Sequence, residues 1–239
     1  MALGSQPRWT VRPADAQVGI DVGLREYMLR VYNYMASGLA LTGIVAFAFA
    51  QYLFANPALA HSPVMFLIML APLGLVMWLS FGLNRMQAST AQLLFWLYAG
   101  VMGLSLASVF LVFTGVSIAR VFFITAGTFG AMSLYGYTTR RDLSQFGSFL
   151  FMGLIGIVLA GLVNLFIGST ALQFAISVIG VIVFVGLTAW DTQQIKEMYY
   201  EGDDYEMGSK KAIMGALRLY LDFINLFMML MQLLGTRRD

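Results

Sequence analysis

Long apolar runs separated by short polar stretches make up nearly the whole chain after its first thirty or so residues. Seven of these runs reach the roughly 20 residues needed to cross about 30 Å of hydrocarbon. They cover Tyr32–Ala55, Val64–Leu83, Thr90–Phe113, Ser117–Tyr137, Ser148–Ile167, Leu172–Ile195 and Ala212–Leu234. The runs are continuous and lack the period-two alternation of barrel strands, so they predict helices. The pattern predicts an all-α integral membrane protein. Its seven-transmembrane-helix bundle covers residues 28–235, with tails at 1–27 and 236–239. The connections Asn56–Pro63, Asn84–Ser89, Thr114–Val116, Thr138–Gly147, Gly168–Ala171 and Lys196–Lys211 leave no room for a soluble domain. The stretch before Arg25 is polar and does not read as a signal peptide.

Composition supports this class. Of 239 residues, 59% are hydrophobic and only 11% charged, against about 25% charged in a soluble domain. Cysteine is absent, which excludes disulfides, thiolate metal sites and cysteine nucleophiles. His61 is the single histidine and cannot build a multi-histidine cage. No cofactor is expected, and no nucleic-acid surface or phosphate-binding glycine loop is visible.

Charge placement sets an orientation, because cytoplasmic loops collect Lys and Arg. Arg8, Arg12, Arg25, Arg30, Arg85, Arg140, Arg141, Lys196, Lys210 and Lys211 all fall in the N-terminal segment and the second, fourth and sixth connections. The N-terminus is therefore expected in the cytoplasm and the C-terminus outside. Arg237 and Arg238 argue the other way, since a re-entrant last segment would return them to the cytoplasmic side. Small residues at helical spacing (Ala126 with Gly130, Gly127 with Ala131, Gly156 with Ala160) mark expected sites of close helix packing.

Two acids break the apolar rule. Asp191 lies towards the end of the sixth run and Asp222 near the middle of the seventh. An intramembrane carboxylate costs about 2.5–3.5 kcal/mol on insertion scales and usually marks a site or pathway. Arg218, Asn225 and Gln232 share a helical face with Asp222, while Thr188, Gln194 and Ser177 extend the face of Asp191. If the last two helices are antiparallel neighbours, the two carboxylates meet and share one proton. Two simpler readings stay open. Arg218 balances Asp222 one turn away, or Asp191 is solvated at the interface. Trp190, Tyr199 and Tyr200 are read as interfacial aromatics.

Around these aspartates the chain resembles the Bax-inhibitor-motif family of multi-pass membrane proteins. The matching segments are Gly186-Leu-Thr-Ala-Trp-Asp-Thr-Gln-Gln-Ile195 and Ala216-Leu-Arg-Leu-Tyr-Leu-Asp-Phe-Ile-Asn-Leu-Phe227. The resemblance implies a seven-helix bundle whose last helix is central and wrapped by the other six. It also implies a pH-sensitive calcium leak channel in a bacterial inner membrane, with Asp191 and Asp222 as pH sensor and weak calcium contact. Arg85 is the counterpart of a second-helix arginine that interacts with the pair, and Arg218 is an alternative counter-ion. Asn225 and Thr188 are supporting polar groups. A further branch of the family restrains a membrane-bound ATP-dependent protease, so a modulator of such a partner is the second expectation.

An intramembrane aspartyl protease also carries one Asp on each of two neighbouring spans. Its Gly-x-Gly-Asp motif is missing, because Leu219-Tyr220-Leu221 precedes Asp222. Gly103-Leu-Ser105 resembles a nucleophile turn, but His61 is the only available base and lies outside the spans. An enzyme is not expected.

Overall fold

The computed structural model of the protein describes residues 22–60 and 62–238, apart from the side chain of Asn84. The readings made of Arg8, Arg12 and His61 lie outside these residues. Among the described residues eight α-helices follow one another: α1 (Val22–Ala55), α2 (Pro57–Ala60), α3 (Pro63–Gly82), α4 (Ala88–Val112), α5 (Gly115–Thr138), α6 (Ser144–Ile167), α7 (Thr170–Glu197) and α8 (Tyr205–Leu234). All but the single turn of α2 are long and apolar enough to cross a membrane.

The ends of the helices follow from local chemistry. Ser169 caps α7 by accepting from Leu172 N, and Asp204 caps α8 by accepting from Met207 N at 2.7 Å. Such caps satisfy backbone donors that have no intrahelical partner. Gly168 ends α6 with φ +64°, a left-handed conformation that favours glycine. α4 is capped from a distance, since Glu206 at the start of α8 accepts from Ala88 N at 2.9 Å.

Helix α8 is the core of the bundle. In its most apolar window 67% of residues are buried, against 33% at most in any other span. Its substantial packing is with α1, α4, α5 and α7, while α3 packs on α4 and α6 on α7. The central helix is thus enclosed by four neighbours rather than six, with α3 and α6 added outside as a second layer. Phe81 and Phe166, on those outer helices, are 78% and 90% exposed, as lipid-facing side chains would be.

α8 spans fully. Its thirty residues give a rod of about 45 Å at 1.5 Å per residue. The segment after it is tied to the α4–α5 turn. Thr114 N donates to Thr236 O at 3.0 Å, Arg238 N to Val112 O at 2.8 Å and Thr236 N to Ser117 Oγ at 2.8 Å. Arg237 and Arg238 therefore sit at the end of the bundle opposite Arg25, and α8 does not turn back on itself.

Close packing uses glycines other than the expected ones. A Cβ at Gly127, Gly130 or Gly156 would meet nothing within 4 Å, because these residues face outward. The tight positions are Gly136, where a Cβ would lie 2.2 Å from Ala189 O, and Gly103, where it would lie 2.7 Å from Thr42 O. Spacing by four selects a helix face but does not say what that face meets.

Candidate functional site: a carboxylate pair between α7 and α8

α7 and α8 are joined by residues 198–204 and run antiparallel. The connection is shorter than the stretch Lys196–Lys211 suggested, because α8 begins seven residues before the apolar run, through Glu206, Lys210 and Lys211. Contacts along the seam fix its register. Ser177 donates to Gln232 Oε1 at 3.2 Å, Met229 fills the space over Gly180, and Ile195 packs against Gly215. The same register brings Asp191 to Asp222. Their carboxyl groups lie within hydrogen-bonding reach of each other, and the residues are 8% and 5% exposed.

A hydrogen bond between the two would need a proton. Two carboxylates are both acceptors, so neither has a donor to offer unless one is protonated. Asp222 Oδ2 is buried without a hydrogen-bond partner among the described residues. Arg218 is the cation at the pair, and its Nη1 lies 3.7 Å from Asp191 Oδ1. The arginine thus reaches across to α7 instead of pairing with Asp222 on its own helix, and Asp191 is buried rather than solvated at an interface.

Other sequence-selected residues lie elsewhere. Arg85 is exposed beyond α3, in a surface groove with Trp78, Phe81 and Met86; Arg218, not Arg85, reaches the carboxylates. Thr188 donates to Phe184 O at 2.7 Å and Asn225 to Leu221 O at 2.8 Å. Both bond back to their own helix, a common resolution for short polar side chains, and neither donates to the aspartates. Trp190 fills the α6–α7 seam over Gly147, where a Cβ would lie 2.6 Å from its ring. It thus packs between the two helices.

Two polar clusters escaped sequence reading. Thr192 Oγ1 donates to Thr188 O at 2.7 Å, so Ser133 donates to Thr192 at 2.9 Å and Tyr32 to Ser133 at 2.5 Å. This hydroxyl chain ties α1, α5 and α7 together beside Asp191. On the opposite side of α8, Thr42 Oγ1 lies 2.7 Å from the Tyr220 hydroxyl, 2.8 Å from Ala99 O and 2.9 Å from Gly38 O. The contributing hydroxyls are scattered over α1, α5, α7 and α8, and only the tertiary fold assembles them.

A seven-helix membrane bundle that buries a carboxylate pair beside its central helix defines the class of this protein. The profile of one family, described as "Inhibitor of apoptosis-promoting Bax1", matches residues 24–239. The chain belongs to that family. It is 54% identical over 219 residues to an uncharacterized protein of Rickettsia prowazekii, covering 92% of this chain and 93% of the relative. It is 51% identical over 229 residues to the inner membrane protein YbhL of Escherichia coli, covering 94% and 97%. An uncharacterized membrane protein of Streptococcus pyogenes is 34% identical over 222 residues, covering 90% and 94%.

Proposed function

We propose that the protein is a passive, pH-gated pathway for Ca²⁺ in a bacterial inner membrane, and that Asp191 and Asp222 are its gate. The observation that carries this reading is the burial of both carboxyl groups in mutual contact across the α7–α8 seam. With one shared proton, the pair is an O–H···O⁻ bond that holds two helices together. Without it, two anions face each other at low dielectric and only Arg218 offsets them, so the seam is driven apart. Acid therefore favours the closed form, and rising pH favours the open one.

Once separated, the carboxylates offer hard oxygen ligands suited to Ca²⁺. Two acids make an incomplete site, and among the described residues no group of three metal-ligating side chains gathers. Water or backbone carbonyls would complete the shell. The resulting weak binding suits passage rather than storage. The basic residues Arg25, Arg30, Arg140, Arg141, Lys210 and Lys211 fall at one end of the helices, which supports a cytoplasmic N-terminus.

The test is Ca²⁺ uptake into proteoliposomes across a pH series, comparing the parent chain with Asp191→Asn and Asp222→Asn. The parent should show flux that rises with pH, and each Asn variant should lose that dependence. A parent without flux, or three proteins with the same pH-independent flux, would overturn the reading.

A further inference from the structure

α1 packs on α4 and α8, and α5 packs on α7 and α8, while α1 and α5 meet each other at the Tyr32–Ser133 hydrogen bond. Between them lies a crevice of about 1060 Å³. Tyr32 on α1 and Ala126 and Gly130 on α5 line its walls, and Phe223 of α8 forms its floor. Leu29, Ile44 and Leu134 on its rim are 51%, 68% and 63% exposed. The opening therefore faces sideways between two spanning helices, towards lipid.

The charge of this crevice is one-sided. Arg25 is its single charged lining residue and stands at the basic end of the bundle. Lys196 stands nearby, donating from Nζ to Tyr137 O at 2.9 Å and lying over the Tyr137 ring, which also lines the crevice. On α1 the lining runs from Arg25 to Ile44, about 28 Å at 1.5 Å per residue. That length is comparable to the roughly 30 Å hydrocarbon core, so the trough continues past mid-membrane. A long apolar channel with cations at its headgroup end matches an amphiphile with an anionic head.

We propose that this crevice is a phospholipid site. One acyl chain lies along the α1–α5 trough against Phe223, and its phosphate sits at Arg25. Phe223 is the residue after Asp222, and its ring meets Phe122 and Phe129 edge-on, both at 5.5 Å. The bound chain therefore touches the central helix beside its carboxylate. The site rests on the shape and charge of the crevice and does not depend on ion conduction.

Native mass spectrometry of the full chain tests the proposal, after exchange from vesicles of phosphatidylglycerol and phosphatidylcholine. Gly130→Leu and Gly43→Leu place bulk in the trough at positions where a Cβ meets nothing within 4 Å; thermal unfolding confirms that both variants fold. The parent should retain one phospholipid, with phosphatidylglycerol preferred. Both leucine variants should lose at least tenfold of that retention, and Arg25→Gln should lose the preference. A parent stripped of lipid, leucine variants that retain it like the parent, or retention of fatty acid alone would overturn the assignment. So would a parent dimer that the leucine variants convert to monomers, because a second copy would then fill the trough.

Discussion

Removing one buried hydroxyl from α1 should loosen the seating of α8, and the hydrogen count at Thr42 sets how much. Thr42 has a single hydroxyl hydrogen, and the Ala99 and Gly38 carbonyls, at 2.8 and 2.9 Å, compete for it. The Tyr220 hydroxyl must then donate to Thr42 Oγ1 across 2.7 Å. Tyr220 is fully buried. Tyr220→Phe removes one bond and leaves Thr42 satisfied, which costs about 1 kcal/mol. Thr42→Val instead leaves a buried tyrosine hydroxyl without an acceptor, which costs about 1–3 kcal/mol. The double variant removes both partners, so it should cost less than the sum of the two. The expected coupling is about 0.6–1.7 kcal/mol, the range found for interhelical hydrogen bonds in membranes. Unfolding free energies from steric trapping in bicelles measure all four corners of the cycle. Strictly additive single costs, or Tyr220→Phe as the costlier change, would refute this donor assignment.

Gly136→Ala places a Cβ 2.2 Å from the Ala189 carbonyl, where backbone cannot yield as a side chain can. Thermal unfolding should show a loss of about 1–3 kcal/mol, while outward-facing Gly127→Ala should be close to neutral. For Arg218 and Asp191, 3.7 Å apart, Coulomb's law gives about 4.5 kcal/mol at an effective dielectric of about 20. The Arg218 side chain is 41% exposed, so a cycle of Arg218→Gln and Asp191→Asn should measure only about 1 kcal/mol. In the α5–α6 turn, Asp142 accepts from Ser144 N at 2.8 Å, which holds its carboxyl below the usual carboxylate range. Its contribution to stability is complete above the unfolded value of about 3.9 and is lost as pH falls through the lower folded value. NMR titration of Asp142 should find the midpoint below 3.9, and a midpoint at or above it would remove the contribution.

The spans and the two acids were legible in the sequence because lipid penalises polar side chains strongly and locally. Helix lengths were less so. α1 begins at Val22 and α8 at Tyr205, well before their apolar runs at Tyr32 and Ala212. Hydropathy measures the thickness of the hydrocarbon, whereas a helix continues through Arg25, Glu26 and Arg30 as readily as through leucine. The cation at the carboxylate pair was also ambiguous. Arg85 and Arg218 are both arginines near predicted helix ends or polar faces, and only the α7–α8 register brings Arg218 to Asp191. The packing glycines were missed because Gly136 and Gly127 look alike until the backbone of α7 is laid against one of them.

Infrared difference spectroscopy of the carboxyl C=O stretch tests the shared proton most directly. In reconstituted parent protein at acid pH, the account predicts a protonated-carboxyl band that fades as pH rises, in step with the appearance of Ca²⁺ flux. Asp222→Asn should abolish that band, because the remaining Asp191 has Arg218 beside it. No band in the parent at any pH, or the same band in Asp222→Asn, would contradict a proton held between Asp191 and Asp222.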